Sequence, residues 1–330
     1  MAKRNLAAID LGTNSCRLMI ADTYGNELYA TSIATKLGEG MYANMRFTDE
    51  AIERGLNAFA EYAEIMKQYN VGKYRAIATA SCRMASNGAD FVKKVEQKCG
   101  IKIDVVDSKE EALLNLKGAI LNAPASAEYA VVYDLGGGST EITLAKLKPE
   151  LEIVHTVSIP WGARNSAEAF ALAEYNEQNA QKLATEIAGY VTDFNKKSEL
   201  EKYADKACLI ATSSTPLRLV SMAKKWGEHN RNRADGVQIT TKELDKQISE
   251  VWKMSVAEKE NSPYIGKDRA PIFNAGCVIF KTIYNNLKFD KLTASLKSAR
   301  HAIIEELVNN GKINTLGQIG ARAQNTDRSC

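Results

Sequence analysis

Two segments of the chain carry one pattern. Ala8-Ile9-Asp10-Leu11-Gly12-Thr13-Asn14-Ser15 recurs 124 positions later as Val132-Tyr133-Asp134-Leu135-Gly136-Gly137-Gly138-Ser139. In each copy an apolar run ends in Asp, a Gly permits a tight reversal, and small residues fill the turn. A second apolar run follows, Leu18-Met19-Ile20 in one and Ile142-Thr143-Leu144 in the other. The pattern predicts a strand, a phosphate-sized turn and a second strand. Gly and Ser leave the backbone uncovered, so successive N–H groups can point at an anion, while Asp at the strand end can hold a cation through water. One Asp-x-Gly turn is ordinary hairpin chemistry. Its duplication, with strands on both sides, predicts two related domains whose turns face each other and grip one phosphate chain with its metal.

A chain of 330 residues with 45% hydrophobic and 25% charged content has enough material for two domains with substantial cores. No stretch is long and apolar enough for a membrane span, and Met1-Ala2-Lys3-Arg4-Asn5 passes straight into the first strand. A cytoplasmic location is therefore expected, with no membrane partner. Cys16, Cys82, Cys99, Cys208, Cys277 and Cys330 form no close pair and read as reduced thiols. The dispersed His155, His229 and His301 argue against a His-rich hydrolase site. A net charge of +3 is too small to make nucleic acid the expected partner. Local basic runs such as Lys196-Lys197, Lys224-Lys225 and Arg231 with Arg233 could attract an anion, although most such runs are solvated surface.

The first half alternates strand and helix signals, as an α/β domain does. Ile52, Leu56, Phe59, Ala63 and Met66 recur at helical spacing and predict a helix from about Asp49 to Tyr69, capped by Thr48. Asn122-Ala123-Pro124-Ala125-Ser126 reads as a domain junction. The expected division is a first domain over 1–123, a second over 124–312 and a polar tail over 313–330. In the second, strands run to Ile159, a helix carries Leu183, Ile187, Tyr190, Val191 and Phe194, Cys208 to Ala211 forms a buried strand, and helices dominate thereafter.

Asp10-Leu11-Gly12-Thr13-Asn14-Ser15 together with Asp134-Leu135-Gly136-Gly137-Gly138-Ser139-Thr140-Glu141 resembles the exopolyphosphatase and guanosine pentaphosphate phosphohydrolase family, in its short form, within the actin-like ATPase superfamily. Thr79-Ala80-Ser81-Cys82-Arg83, Ser108-Lys109-Glu110-Glu111-Ala112, and Arg269-Ala270 followed by Asn274-Ala275-Gly276 agree with that family in type and order. The resemblance covers about Ala7 to Leu307. It implies two duplicated actin-like (ribonuclease H-like) α/β domains with a cleft between them, a homodimer, and hydrolysis of a terminal phosphoanhydride with magnesium, or manganese in its place.

Phosphoryl transfer to water requires positioning, charge neutralisation and an aligned nucleophile. Thr13, Asn14 and Ser15 on one loop and Gly137, Gly138, Ser139 and Thr140 on the other are the expected phosphate binders. Arg83 suits a phosphate clamp, because guanidinium forks to two oxygens. Glu110 and Glu111 are neighbours on a helix start, about 100° apart, and sequence alone does not choose between them; the resemblance puts the general base on Glu111. Asp10 and Asp134 are the expected metal carboxylates, with Glu141 as a third candidate. Three departures from the family pattern stand out: Leu113 in place of Arg, Thr212-Ser213-Ser214-Thr215 where two glycines are usual, and Ala299-Arg300-His301-Ala302 in place of Leu-Arg-Glu-Gly. The expected activity is an exopolyphosphatase acting on inorganic polyphosphate. The alternatives are conversion of guanosine pentaphosphate to the tetraphosphate, an actin-like kinase or ATPase, and a polyphosphate or alarmone sensor without turnover.

Overall fold

The structure, a computed structural model, describes residues 4–39, 41, 44–309 and 314–315. Apart from Asn314 and Thr315, the expected tail over 313–330 lies outside the described residues. The chain divides into two compact units, Met1–Gly118 with Ser298–Cys330, and Ala119–Lys297. No helix among the described residues is long and apolar enough to cross a membrane.

The first unit opens with strands β1 (Asn5–Leu11), β2 (Cys16–Ala21) and β3 (Glu27–Ile33). Helix α1 (Asp49–Gln68), strand β4 (Val71–Ala78), helices α2 (Ala80–Met84) and α3 (Gly88–Cys99), strand β5 (Ile103–Val105) and helix α4 (Ser108–Ala119) follow. Thr48 caps α1 by accepting from the Ala51 N–H, and the predicted apolar face is buried at Ile52, Phe59, Ala63 and Met66. Strands β3, β2 and β1 are antiparallel neighbours, and β1, β4 and β5 run parallel. Because strand side chains alternate, Ala7, Ile9 and Leu11 of β1 join one core with α1 and α3, while Leu6 and Ala8 join another on the opposite face. A strand apolar on both faces is a central strand, and β1 places Asp10, next to its last residue, at the middle of the sheet edge.

The second unit repeats this order. Strands β6 (Tyr129–Leu135), β7 (Thr140–Lys146) and β8 (Glu152–Ile159) are antiparallel neighbours. After helices α5 (Ala163–Ala169) and α6 (Glu177–Ser198), strand β9 (Ala207–Thr212) pairs parallel to β6. Helices α7 (Ser214–Ala223) and α8 (Arg231–Ala234), strand β10 (Gln238–Thr240), helices α9 (Thr241–Lys253), α10 (Val256–Asn261) and α11 (Ala270–Leu287) and strand β11 (Lys291–Ser295) complete it. Strand β11 runs parallel to β9, as β5 does to β4, so the two sheets share a five-strand core topology. The duplicated α/β architecture expected from the paired turns is present.

One expectation is refined and one corrected. Helices dominate the stretch after β9, as expected, but strands β10 and β11 interrupt it; β11 is buried through Thr293 and Ser295 as well as Leu292 and Ala294, so no apolar signal marks it. The second domain also stops short of 312. Helix α12 (Ala299–Val308) returns to the first unit, where Ala299, Ala302, Ile303, Ile304 and Leu307 cover Leu6, Ala8, Met19, Ala21 and Ile77. Strand β12 (Asn314–Thr315) then pairs antiparallel with β4. The approach of α4 to this return is close: a Cβ on Gly118 would sit 2.1 Å from the Ser298 carbonyl oxygen. Of the departures at 299–302, His301 has a local role, its Nδ1 accepting from the Ser298 N–H (3.1 Å), while Arg300, which keeps the usual residue, is buried and donates to the Leu18 carbonyl (3.1 Å).

Candidate active site

The turn between β1 and β2 closes when the Gly12 N–H donates to the Ser15 carbonyl (3.0 Å). Lys36 N–H donates to the Asn14 carbonyl (3.0 Å) and Gly38 N–H to that of Thr13 (2.9 Å). Three successive carbonyls are therefore occupied by protein donors, whereas the N–H groups of Thr13, Asn14 and Ser15 meet no acceptor among the described residues. A loop that ties its acceptors inward and leaves its donors open is electrostatically an anion receptor.

The turn between β6 and β7 repeats the closure, Gly136 N–H to the Ser139 carbonyl (2.9 Å). Its carbonyls are tied down from the start of α5: Ala163 N–H donates to Gly136 O (2.9 Å), Arg164 N–H to Gly137 O (2.8 Å), and Asn165 Nδ2 to Gly138 O (2.9 Å). The N–H groups of Gly137, Gly138 and Ser139 again meet no acceptor among the described residues. Gly162 is required by packing, because a Cβ there would come within 2.5 Å of the Gly137 carbonyl carbon. Gly138 is different: a Cβ would meet nothing within 4 Å, and its φ is not positive. Neither packing nor backbone conformation asks for glycine there, so the bare backbone is left for a ligand. Thr140, expected among the phosphate binders, is fully buried and donates its hydroxyl to the Trp161 carbonyl (2.7 Å); it fastens the loop and does not line it. The bracing segment 160–165 escaped the sequence reading. Its signal was Gly162 after Pro160-Trp161, a glycine at the end of a strand with no turn to explain it.

In the first unit, Thr79 N–H donates to the Leu11 carbonyl (3.2 Å), seating the start of α2 against the end of β1. Arg83, on α2, donates Nη1 to the Val106 carbonyl (2.7 Å) and to Glu111 Oε2 (2.8 Å). Its Nε and Nη2 have no acceptor among the described residues. The Glu111 carboxyl, 27% exposed, is raised above the ordinary glutamate range by burial, against the lowering effect of Arg83; the nearby Asp10 charge raises it further and the Thr79 hydroxyl lowers it. Glu110 points elsewhere, into an ion pair with Arg75. The two glutamates that sequence left undivided are thus separated by the roll of α4.

Asp10 is buried, and Arg17 directly across β1 and β2 brings Nη1 within 3.6 Å of it. The equivalent cross-strand partner of Asp134 is Glu141. Directly opposed residues of an antiparallel pair share a face, so the second loop carries two carboxylates where the first carries an acid and a base. Thr212 donates its hydroxyl to Asp134 (2.8 Å), and Ser158 to Glu141 (3.0 Å). Among the described residues no group of three His, Cys, Asp or Glu could hold a metal. Two hard oxygen donors on one face fit a magnesium ion that keeps most of its waters.

The thiols nearest the first loop are core residues. Burial pushes Cys82 up to about 12 and raises Cys16 well above the ordinary thiol range, so neither is a thiolate near neutral pH. The basic runs of the second unit are largely engaged on the surface: Lys197 with Asp193 (2.8 Å), Lys224 with Glu243 (3.1 Å), and Arg233 over the Trp226 ring (4.4 Å).

Residues 25–310 match the Ppx/GppA phosphatase family. A bifunctional 3-dehydroquinate synthase/phosphatase of Fusobacterium nucleatum is 29% identical over 88% of the chain; the chain spans 44% of the length of that curated relative. The crystal structure of an Aquifex aeolicus Ppx/GppA family member superposes with a TM-score of 0.80 at 20% identity, covering 94% of this chain and 99% of the other. An exopolyphosphatase from Cytophaga hutchinsonii superposes with a TM-score of 0.77 at 18% identity, covering 94% and 99%. Those two likenesses concern the fold.

Proposed function

The chain belongs to the Ppx/GppA phosphatase family, and from that premise we propose that it is an exopolyphosphatase, cleaving the terminal phosphoanhydride of inorganic polyphosphate. Guanosine pentaphosphate is the alternative substrate. The observation that carries the reading is the Arg83–Glu111 hydrogen bond (2.8 Å) beside Asp10 and Thr79, at a loop whose N–H donors are open.

A water oxygen attacks the terminal phosphorus as the bridging P–O bond breaks; the shortened chain leaves and orthophosphate is formed. Glu111 takes the water proton, and its raised proton affinity makes it a stronger base than an ordinary glutamate. Arg83 is held at Nη1 and presents Nε and Nη2 to the phosphate oxygens. Thr13, Asn14 and Ser15, and separately Gly137, Gly138 and Ser139, bind phosphate oxygens through backbone N–H groups. Asp134 and Glu141 in the second unit, and separately Asp10 in the first, are the carboxylates that would hold magnesium or manganese, which supplies positive charge against the phosphate oxygens when bound.

The test is phosphate release with magnesium from medium-length polyphosphate, guanosine pentaphosphate and ATP, with Glu111→Gln alongside. Release from polyphosphate or guanosine pentaphosphate is expected, reduced at least ~100-fold in Glu111→Gln. The acid limb of the kcat profile should lie above the ordinary glutamate range, since turnover needs the ionised carboxylate and burial raises its pKa. Binding of all three without release would replace the hydrolase by a sensor.

A further inference from the structure

Arg75 shares the face of β4 that carries Ile77 into the core with α4 and α12, and it is only 3% exposed. A buried guanidinium is costly unless its protons are matched by acceptors. Here three carboxylates from three elements meet it. Nη2 donates to Glu110 of α4, Nη1 to Glu306 Oε2 of α12 (3.0 Å), and Nε lies 3.6 Å from Asp104 Oδ2 of β5. Lys117, further along α4, takes the other oxygen of Glu306 (2.9 Å). Helix α4 is therefore pinned at Glu110 in its first turn and at Lys117 in its last, to partners on two different elements.

Neighbouring helical residues project about 100° apart. Fixing the azimuth of Glu110 on Arg75 therefore fixes that of Glu111 towards Arg83. The N-terminus is set as well, because Asp107 accepts the Glu110 N–H on its side chain (2.8 Å) and the Glu111 N–H on its carbonyl (3.0 Å). Among the described residues, no ion pair other than that with Arg83 holds the face of α4 that bears Glu111.

Taking the reading of Glu111 and Arg83 above as given, the geometry points to Arg75 and Glu110 as positioning residues for the hydrolytic site: their ion pair sets the roll of α4 and holds Glu111 in hydrogen-bond reach of Arg83. Glu306 is a second arm of the same guanidinium; it ties α12 to β4 and, through Lys117, to the last turn of α4, at the end away from Glu111, so it stabilises the unit while the Glu110 pair sets Glu111.

The test uses full-length protein and four variants, Glu110→Gln, Arg75→Met, their double mutant, and Glu306→Gln. Glu110→Gln keeps shape and removes charge. We expect it to lower kcat roughly 10- to 100-fold, the scale of a small misplacement of a reacting group, with KM changed less than about twofold because Glu111 is not a phosphate ligand. The double mutant should lose no more than the worse single variant, as members of one unit do. Glu306→Gln should lower Tm and leave kcat within about twofold. Crystal structures of the parent and Glu110→Gln give a readout independent of turnover: the Glu111–Arg83 hydrogen bond should be broken in the variant. An intact bond in Glu110→Gln, or folded Glu110→Gln with kcat unchanged, overturns the positioning role. Should Arg75→Met fail to fold, Glu110→Gln and Glu306→Gln still decide it. A parent protein that releases no phosphate from any substrate overturns the hydrolase reading instead, and the bond in the two crystal structures still judges the positioning.

Discussion

Gly138 has no side chain, no neighbour that a Cβ would touch and no left-handed backbone, so the fold does not explain it. Substituting alanine at such a position commonly stabilises a protein by about 0.4–1 kcal/mol, because the unfolded chain loses freedom. Gly138→Ala should therefore keep or raise Tm while lowering kcat/KM at least ~10-fold, since the methyl group covers an open N–H. Unchanged kcat/KM with the same Tm would remove Gly138 from the phosphate site. The same resolution separates what was readable at the residue scale from what was not. Both loops, Arg83 and the glutamate pair were legible because their chemistry is local: glycines, hydroxyls and an acid pair within a few positions. Which of the two glutamates faces Arg83 was not, because that depends on Arg75, 35 positions upstream of Glu110. Thr140 looked like a loop hydroxyl and is a fastener, since only the fold brings the Trp161 carbonyl to it.

At the scale of elements, the junction of β9 and α7 carries the most informative departure. Ser213 adopts φ 90 and ψ −178, a region that is close to glycine-only, and its buried hydroxyl meets no hydrogen-bond partner among the described residues. The loss of glycine in Thr212-Ser213-Ser214-Thr215 thus leaves the turn in a glycine-like conformation that a serine must strain to reach. Backbone strain of this kind costs about 1–3 kcal/mol. Ser213→Gly should recover about that amount, seen as a higher denaturation midpoint at unchanged m-value; a lower midpoint would mean that the serine contributes a contact worth more than the strain. Elements with strong periodicity were readable from sequence: α1 falls within one residue of its expected span, with its cap. Strand β11 was not, because Thr293 and Ser295 are buried by the sheet around them and leave no alternation to detect.

For the whole molecule, the consequential fact is that the chain visits the first unit twice. Sequence placed the domain boundary where Pro124 and Ser126 break the pattern and gave everything up to 312 to the second domain. A helix that leaves one unit and docks on another has no local signature. Ile303, Ile304 and Leu307 of α12 are buried against Leu6, Ala8, Met19 and Ile77, and each large aliphatic side chain contributes about 1.5–3 kcal/mol. Together that is roughly 5–9 kcal/mol, comparable with the ~5–15 kcal/mol that holds a typical domain folded. A fragment of residues 1–123 should therefore lack a cooperative unfolding transition, although it contains every strand of the shared topology in that unit. A fragment of residues 119–297, whose core is complete in itself, should unfold cooperatively. Adding a peptide spanning residues 298–309 in excess to the first fragment should restore its transition, with a midpoint that rises with peptide concentration as binding to the folded form requires. Cooperative unfolding of the 1–123 fragment without the peptide, at the temperature of the intact protein's first unit, would show that α12 is an ornament of that core and not a part of it.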